Sequence, residues 1–156
     1  MLNEVDFPLT NSKISEFILD EGYTTYFKLQ QALSELLESG FIREESTHHR
    51  TFYHLTEDGA ETIHYFTNDI SPAIQHDIDE FLKEKHYELK NEMSVKADYF
   101  ENSNMEYSVR CQVIEQGLPL IDLTVTAPTE SEAATIANNW QKRNQEIYAS
   151  VMAKLL

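Results

Sequence analysis

Residues 8–42, "PLTNSKISEFILDEGYTTYFKLQQALSELLESGFI", decide the fold. Two amphipathic segments flank Gly22, and Gly40 closes the second. In the first, Thr10 is placed as an N-cap, and Leu9 with Ile14 is set for a hydrophobic staple. Ile14, Phe17 and Ile18 mark one face, and Gly22 offers the left-handed residue that ends a helix. In the second, Thr24 or Thr25 caps a helix that runs to Ser39. Leu29, Leu33, Leu36 and Leu37 make its stripe, joined by Ala32; the opposite face carries Thr24, Lys28, Gln31, Glu35 and Glu38. Two helices across so short a turn read as a helix-turn-helix.

Outward from this pair, "FIREESTHHRTFYHLTEDG" (41–59) reads as a β-hairpin. Ile42 lies in the first arm, Phe52, Tyr53 and Leu55 in the second, and polar STHHR between them. Thr56 caps a following helix with Ala60, Ile63 and Phe66 at helical spacing. Ser71 and Pro72 then open a long amphipathic helix to about Met93, with Ile74, Ile78, Phe81, Leu82, Leu89 and Met93 as its stripe.

Residues 95–126 change to a period of two. "VKADYFE", the "NSN" turn at 102–104, "MEYSVRCQVIEQ", the "GLP" turn at 117–119 and "LIDLTVTA" predict three antiparallel strands in a meander. Thr129 and Glu132 form a capping box for a last helix, whose stripe runs Ala133, Ile136, Ala137, Trp140, Ile147, Tyr148, Val151 and Leu155. From Glu130 to Leu155 that helix spans roughly 39 Å, more than a short three-stranded sheet covers, so its far end is expected to pack on a second subunit or on the N-terminal module.

The run "LTNSKISEFI…TTYFKLQQALSELLESGFI" followed by "FYHLTEDG" resembles the winged-helix regulators of bacteria. Tyr53, Leu55, Thr56 and Gly59 match the Y-x-L-T-x-x-G that closes the wing in many of them. More narrowly, the chain is similar to an uncharacterised bacterial family, domain of unknown function 4364. The fold class expected is therefore α+β: an N-terminal winged helix-turn-helix (1–70), a long linker helix (71–94), and a β-meander with a long C-terminal helix (95–156). One departure is plain. Such modules carry a full helix before the helix-turn-helix, and here only a stub with Leu2 and Val5 precedes Leu9. The apolar surface of Leu33 and Leu36 is expected to be closed by the C-terminal part or by a partner chain.

The resemblance implies a double-stranded DNA partner, with Thr24, Thr25, Lys28 and Gln31 on the second helix facing base edges and phosphates. On the hairpin, Arg43, His48, His49 and Arg50 are expected along the backbone or minor groove. Charge argues the other way. The 156 residues carry 12 basic and 27 acidic side chains, a net charge of −15. Residues 1–70 alone hold four Lys/Arg and thirteen Asp/Glu, or −9. No cation cluster of the kind that drives phosphate binding exists, so the alternative is a winged-helix protein-interaction module that does not bind DNA.

Other functions find little support. The chain has no G-x-S-x-G elbow, no P-loop and no G-x-G-x-x-G, and Cys111 sits among strand residues as a buried thiol, so no catalysis is expected. Six histidines raise a metal site, with His48 and His54 on one strand face and Glu44 opposite; without H-x-x-x-H or C-x-x-C spacing, no metal and no cofactor are expected. Tyr107, Arg110 and Trp140 are candidates to line a pocket for a small-molecule effector, against a simpler core-and-surface reading. One cysteine, no basic or hydrophobic leader in "MLNEVDFP" and no membrane-length apolar run predict a soluble cytoplasmic protein, and the α/β tail with its overlong last helix is expected to support a homodimer.

Overall fold

A computed structural model describes residues 1–47, 50–115 and 117–156. The described residues form six α-helices and two three-stranded antiparallel sheets, the α+β class expected. The chain divides into two compact units, Met1–Lys90 and Asn91–Leu156. No described helix is long and apolar enough to cross a membrane.

In the first unit a 3₁₀ turn at Leu2–Glu4 leads to β1 (Leu9–Thr10), α1 (Asn11–Asp20) and α2 (Tyr26–Glu38). β2 (Ile42–Ser46), β3 (Thr51–Leu55), α3 (Glu57–Phe66), α4 (Pro72–Glu84) and α5 (His86–Ser94) follow. Thr10 caps α1, its hydroxyl accepting from the Lys13 N–H at 3.2 Å. Both helices of the opening pair stop the same way. Gly22 (φ +70°) donates to Leu19 O while Tyr23 N–H donates to Ile18 O. Gly40 (φ +72°) and Phe41 repeat those bonds to Leu37 and Leu36. Glycine is the residue that enters this left-handed conformation without a Cβ penalty, so its position sets where each helix ends.

The first sheet has the order β1-β3-β2. The hairpin pairs Ile42 with Leu55, and β1 adds Leu9 opposite Tyr53 and Thr10 opposite Phe52. A two-residue strand has no readable period, and Leu9 and Thr10 were legible only as a staple and a cap. Leu9, Ile14, Leu29, Leu33, Ile42, Tyr53, Leu82 and Leu89 form the buried core, with Ile78 and Phe81 packed against it. Leu33 is buried in the same cluster as Leu82 and Leu89 of α4 and α5, while Leu36 stays 39% exposed.

The single long helix expected over 71–93 is two helices, broken at Lys85 (φ −90°, ψ 4°). Between Leu82 and Leu89 no side chain enters the core, so packing does not enforce one continuous helix. The turn instead brings Lys85 and Glu88 to a charged cluster on α1. Lys13 Nζ donates to Glu16 at 2.7 Å and to Glu88 at 2.5 Å, and Lys85 lies 3.6 Å from Glu88.

Thr56 and Gly59 explain the Y-x-L-T-x-x-G spacing. The Thr56 hydroxyl accepts from Gly59 N–H at 3.1 Å and shares its one proton between Gly40 O (2.7 Å) and Phe41 O (2.9 Å). Thr56 N–H also donates to Phe41 O. A Cβ on Gly59 would fall 2.0 Å from Phe41 O, so α3 reaches this backbone only because residue 59 lacks a side chain.

The second unit holds β4 (Val95–Glu101), β5 (Tyr107–Glu115), β6 (Leu118–Ala127) and α6 (Glu130–Leu155). The strands run antiparallel in the order β4-β5-β6, as the alternation predicts. Asn102 Oδ1 accepts from the N–H groups of Asn104 and Glu106 and shapes the first turn. A bulge at Val113/Ile114 interrupts the second pair of strands. On one face, Val95, Ala97, Tyr99, Val109 and Cys111 pack against Ala133, Ala137 and Trp140 of α6. The other face is polar: Arg110 grips Asp122 through two hydrogen bonds of 3.0 and 2.6 Å, and Gln112 adds a third at 2.8 Å. Thr129 accepts from Glu132 N–H, but its hydroxyl also donates to the Glu132 carboxylate at 2.8 Å. Beyond Asn144 no residue of α6 is buried.

Two measurements check this account. Gly59→Ala forces α3 away from Phe41 and is expected to cost about 1–3 kcal/mol in urea unfolding, more than Gly22→Ala, whose Cβ meets open space and carries only the left-handed backbone strain. The second concerns pH. Burial pulls the Lys13 ammonium down, but its bonds to Glu16 and Glu88 outweigh this and raise its pKa. The Glu88 carboxyl is held below its usual value, chiefly by the hydrogen bond from Lys13. A depressed carboxylate stabilises the fold above its unfolded pKa, and that contribution is lost as pH falls through the lower folded value. Urea midpoints are therefore expected to drop below roughly pH 4.3, and less steeply in Lys13→Met than in the native chain.

Candidate functional site

The exposed side of α2 is positioned by polar links that run sideways from its core stripe. Asn11 Nδ2 donates to Tyr53 Oη at 3.0 Å and to Gln30 Oε1 at 3.1 Å, while Gln30 Nε2 returns a bond to Asn11 Oδ1. These bonds join α1, α2 and β3. At the other end of the turn, Tyr23 donates to Asp77 Oδ2 on α4 at 2.5 Å. That bond, with burial and the Asp77 charge behind it, pushes the phenol up to about 12. Phe17 packs edge-on to Tyr23 and tilted on Phe81 beneath it. The entry into α2 is held on both sides.

On this frame Thr25 is the N-cap of α2, exposed and making no side-chain cap bond, while Thr24 is half-buried. Lys28 and Gln31 are exposed opposite Leu29 and Leu33; Gln31 donates to Glu35 at 2.8 Å. Arg43 is exposed on β2 and donates to His54 Nδ1 at 3.1 Å, while His54 Nε2 lies 3.3 Å from Glu45. His54 Nδ1 thus accepts from an arginine, and its Nε2 lies near the Glu45 carboxylate without a hydrogen bond to it. Arg50 is half-buried, and Thr47 donates to Arg50 O through its N–H and its hydroxyl. His48 and His49 lie outside the described residues. The structure brings Thr25, Lys28 and Gln31 together on one helix face and puts Arg43 and Arg50 on the hairpin.

Two aromatic residues on this helix escaped the sequence reading. Phe27 is 84% exposed and Tyr26 53%, stacked edge to face at 6.1 Å. The signal was available: with Leu29 and Leu33 inward, helical spacing turns Phe27 outward beside Gln31. Of the four basic residues in 1–70, Lys13 is buried among Glu16 and Glu88, which leaves Lys28, Arg43 and Arg50. Exposed Glu35, Glu38, Glu44 and Glu45 share these elements.

The other candidates separate. Trp140 is buried and donates to Gln112 O at 3.1 Å, while Arg110 points to the opposite, polar face of the sheet, so the pair with Tyr107 does not enclose a pocket. His54 opposes Arg43, a cation, and Glu44 opposes Tyr53. Among the described residues no three His, Cys, Asp or Glu side chains are grouped to hold a metal ion. Cys111 is 1% exposed, and burial pushes its thiol up to about 11. The thiolate is the reactive form, so iodoacetamide is expected to label the native protein very slowly and the urea-unfolded chain readily; rapid native labelling contradicts this burial.

The family profile described as Domain of unknown function (DUF4364) matches residues 1–155. No curated protein matches the chain, and no solved structure does. Because the match runs through both the α2-bearing unit and the β-meander, the chain belongs to the DUF4364 family.

Proposed function

We propose that this protein is a winged-helix transcriptional regulator that binds double-stranded DNA as a homodimer and carries out no catalysis. The observation that carries the proposal is the outward face of α2, where Thr25, Lys28 and Gln31 stand free of the core while Leu29 and Leu33 anchor the helix behind them. The order of elements supports it: a short strand, two helices across a tight turn, then a hairpin whose second arm pairs with that first strand. In such modules the second helix enters the major groove with its N-terminal half against base edges. Gln31 suits adenine, Lys28 suits guanine or phosphate, and Thr25 suits phosphate. Arg43 and Arg50 on the hairpin supply backbone contacts. In a homodimer the two copies of α2 would sit about 34 Å apart to meet successive major-groove faces.

The acidic surroundings make this a binding mode of few contacts, and Phe27 favours a second reading. An 84%-exposed phenylalanine at the centre of a charged helix face is the kind of anchor that protein interfaces bury. On that reading the same face holds a protein partner and DNA plays no part.

Anisotropy titrations against mixed-sequence duplexes across a salt series separate the two. DNA binding predicts a measurable salt slope that falls by about one on Lys28→Ala or Arg43→Ala, with Gln31→Ala weakening selected sequences more than random ones. Undetectable duplex affinity at low salt, or affinity indifferent to all three changes, removes DNA and leaves Phe27 as the centre of the interface.

A further inference from the structure

Burial along α6 ends well before the helix does. Ala133, Ala137, Trp140, Asn144, Ile147 and Val151 are spaced alternately by four and three residues, the seven-residue repeat with which helices pair side by side. Ala133, Ala137 and Trp140 are spent on the sheet, and Ile147 packs at the margin of that core. Val151, one turn on, belongs to neither core cluster among the described residues. Leu155, a further turn on, is 77% exposed.

This uncovered length carries a socket. Ile147, Ser150, Val151 and Lys154 stand at i, i+3, i+4 and i+7, the four corners between which a side chain of a facing helix inserts. With Glu146 they line an open depression of about 250 Å³. Ser150 is small and exposed, and keeps its middle low. Glu146 and Lys154 flank it eight residues apart, roughly 12 Å along the axis. Glu146 lies 2.9 Å from Arg143, but both side chains are mostly in solvent, where such a pair is weak and exchanges readily.

The opposite charges at the two ends select the occupant. A second copy of the helix, run antiparallel about a two-fold axis through the socket, sets each Val151 into the socket of the other and each Glu146 beside the other's Lys154. A parallel copy would oppose like to like. The net charge of −15 drives copies apart over most of the chain, but residues 142–156 hold three basic side chains and one acidic, so that repulsion is relieved where the helices meet. We propose that the C-terminal half of α6 is the homodimer interface, an antiparallel helix pair closed by Val151 in the socket and by two Glu146–Lys154 pairs. It rests on the homodimer of the proposed function, names the surface that makes it, and is measured without DNA. Fewer than three turns a side make a small contact, so the dimer is expected to be of about micromolar strength.

Sedimentation equilibrium of the full chain at loading concentrations from about 10 to 500 μM is the test. A monomer–dimer equilibrium is expected, with Val151→Glu monomeric throughout and its circular dichroism unchanged. Glu146→Lys and Lys154→Glu, both at exposed positions, are each expected to weaken the dimer about three- to tenfold, and the double variant to restore it. A chain that is monomeric at every concentration overturns the interface and the homodimer together. A dimer that survives Val151→Glu overturns the interface alone. Single reversals without effect, or no recovery in the double variant, overturn the antiparallel pairing. Duplex affinity, titrated separately, decides the DNA reading without touching this one.

Discussion

The first unit depends on a contact between backbone and backbone at Phe41. The carbonyl of that residue receives the N–H of Thr56, shares the Thr56 hydroxyl proton with Gly40, and lies where a Cβ on Gly59 would have to stand. Three elements meet there: the exit from α2, the start of β2 and the first turn of α3. Remove the closeness and the hairpin loses its fixed angle to the helix pair. The cap and the glycine are one device, because the hydroxyl that accepts Gly59 N–H is the same one that reaches the α2 exit.

From that junction the rest of the unit follows by burial. The hairpin brings Ile42, Tyr53 and Leu55 into the core shared with α1 and α2, and Met1, Leu2, Val5 and Phe7 pack against it from before β1. Ile78, Phe81, Leu82 and Leu89 of α4 and α5 complete it. Covering the inner side of α2 in this way leaves its outer side to be decided by polar and aromatic residues, and there Lys28, Gln31 and Phe27 stand among carboxylates. Under the proposed DNA-binding role, affinity would rest on the placement of a few cations more than on net charge.

Much of this was legible in the sequence. Thr10, Thr56, Ser71 and Thr129 cap helices where spacing puts them, Gly22 and Gly40 end helices with positive φ, and the period-two runs pair as a meander. These signals are local, set by residues three or four apart. Illegible features depend on partners far along the chain. β1 exists because Tyr53 and Phe52 receive Leu9 and Thr10; the break at Lys85 follows from a gap in the apolar stripe and from Lys13, seventy-five residues before Glu88. The clamp of Asn11 on Gln30 and Tyr53 spans 19 and 42 residues. Asn144 is buried in the last helix because its amide donates to Trp140 O and Gln141 O of that same helix, a pairing the apolar period does not announce.

One feature of the second sheet bears on how the protein survives at high concentration. β6 is bonded to β5 alone among the described strands, so one of its sides offers backbone groups to any other chain in solution. Pro119 brings no N–H to that side or the other, and Asp122, locked to Arg110, keeps a charged pair on the outer face. The bulge twists the strand pair next to Pro119. Together these make a poor template for a fourth strand. The sheet ends at three, guarded against runaway stacking of copy upon copy.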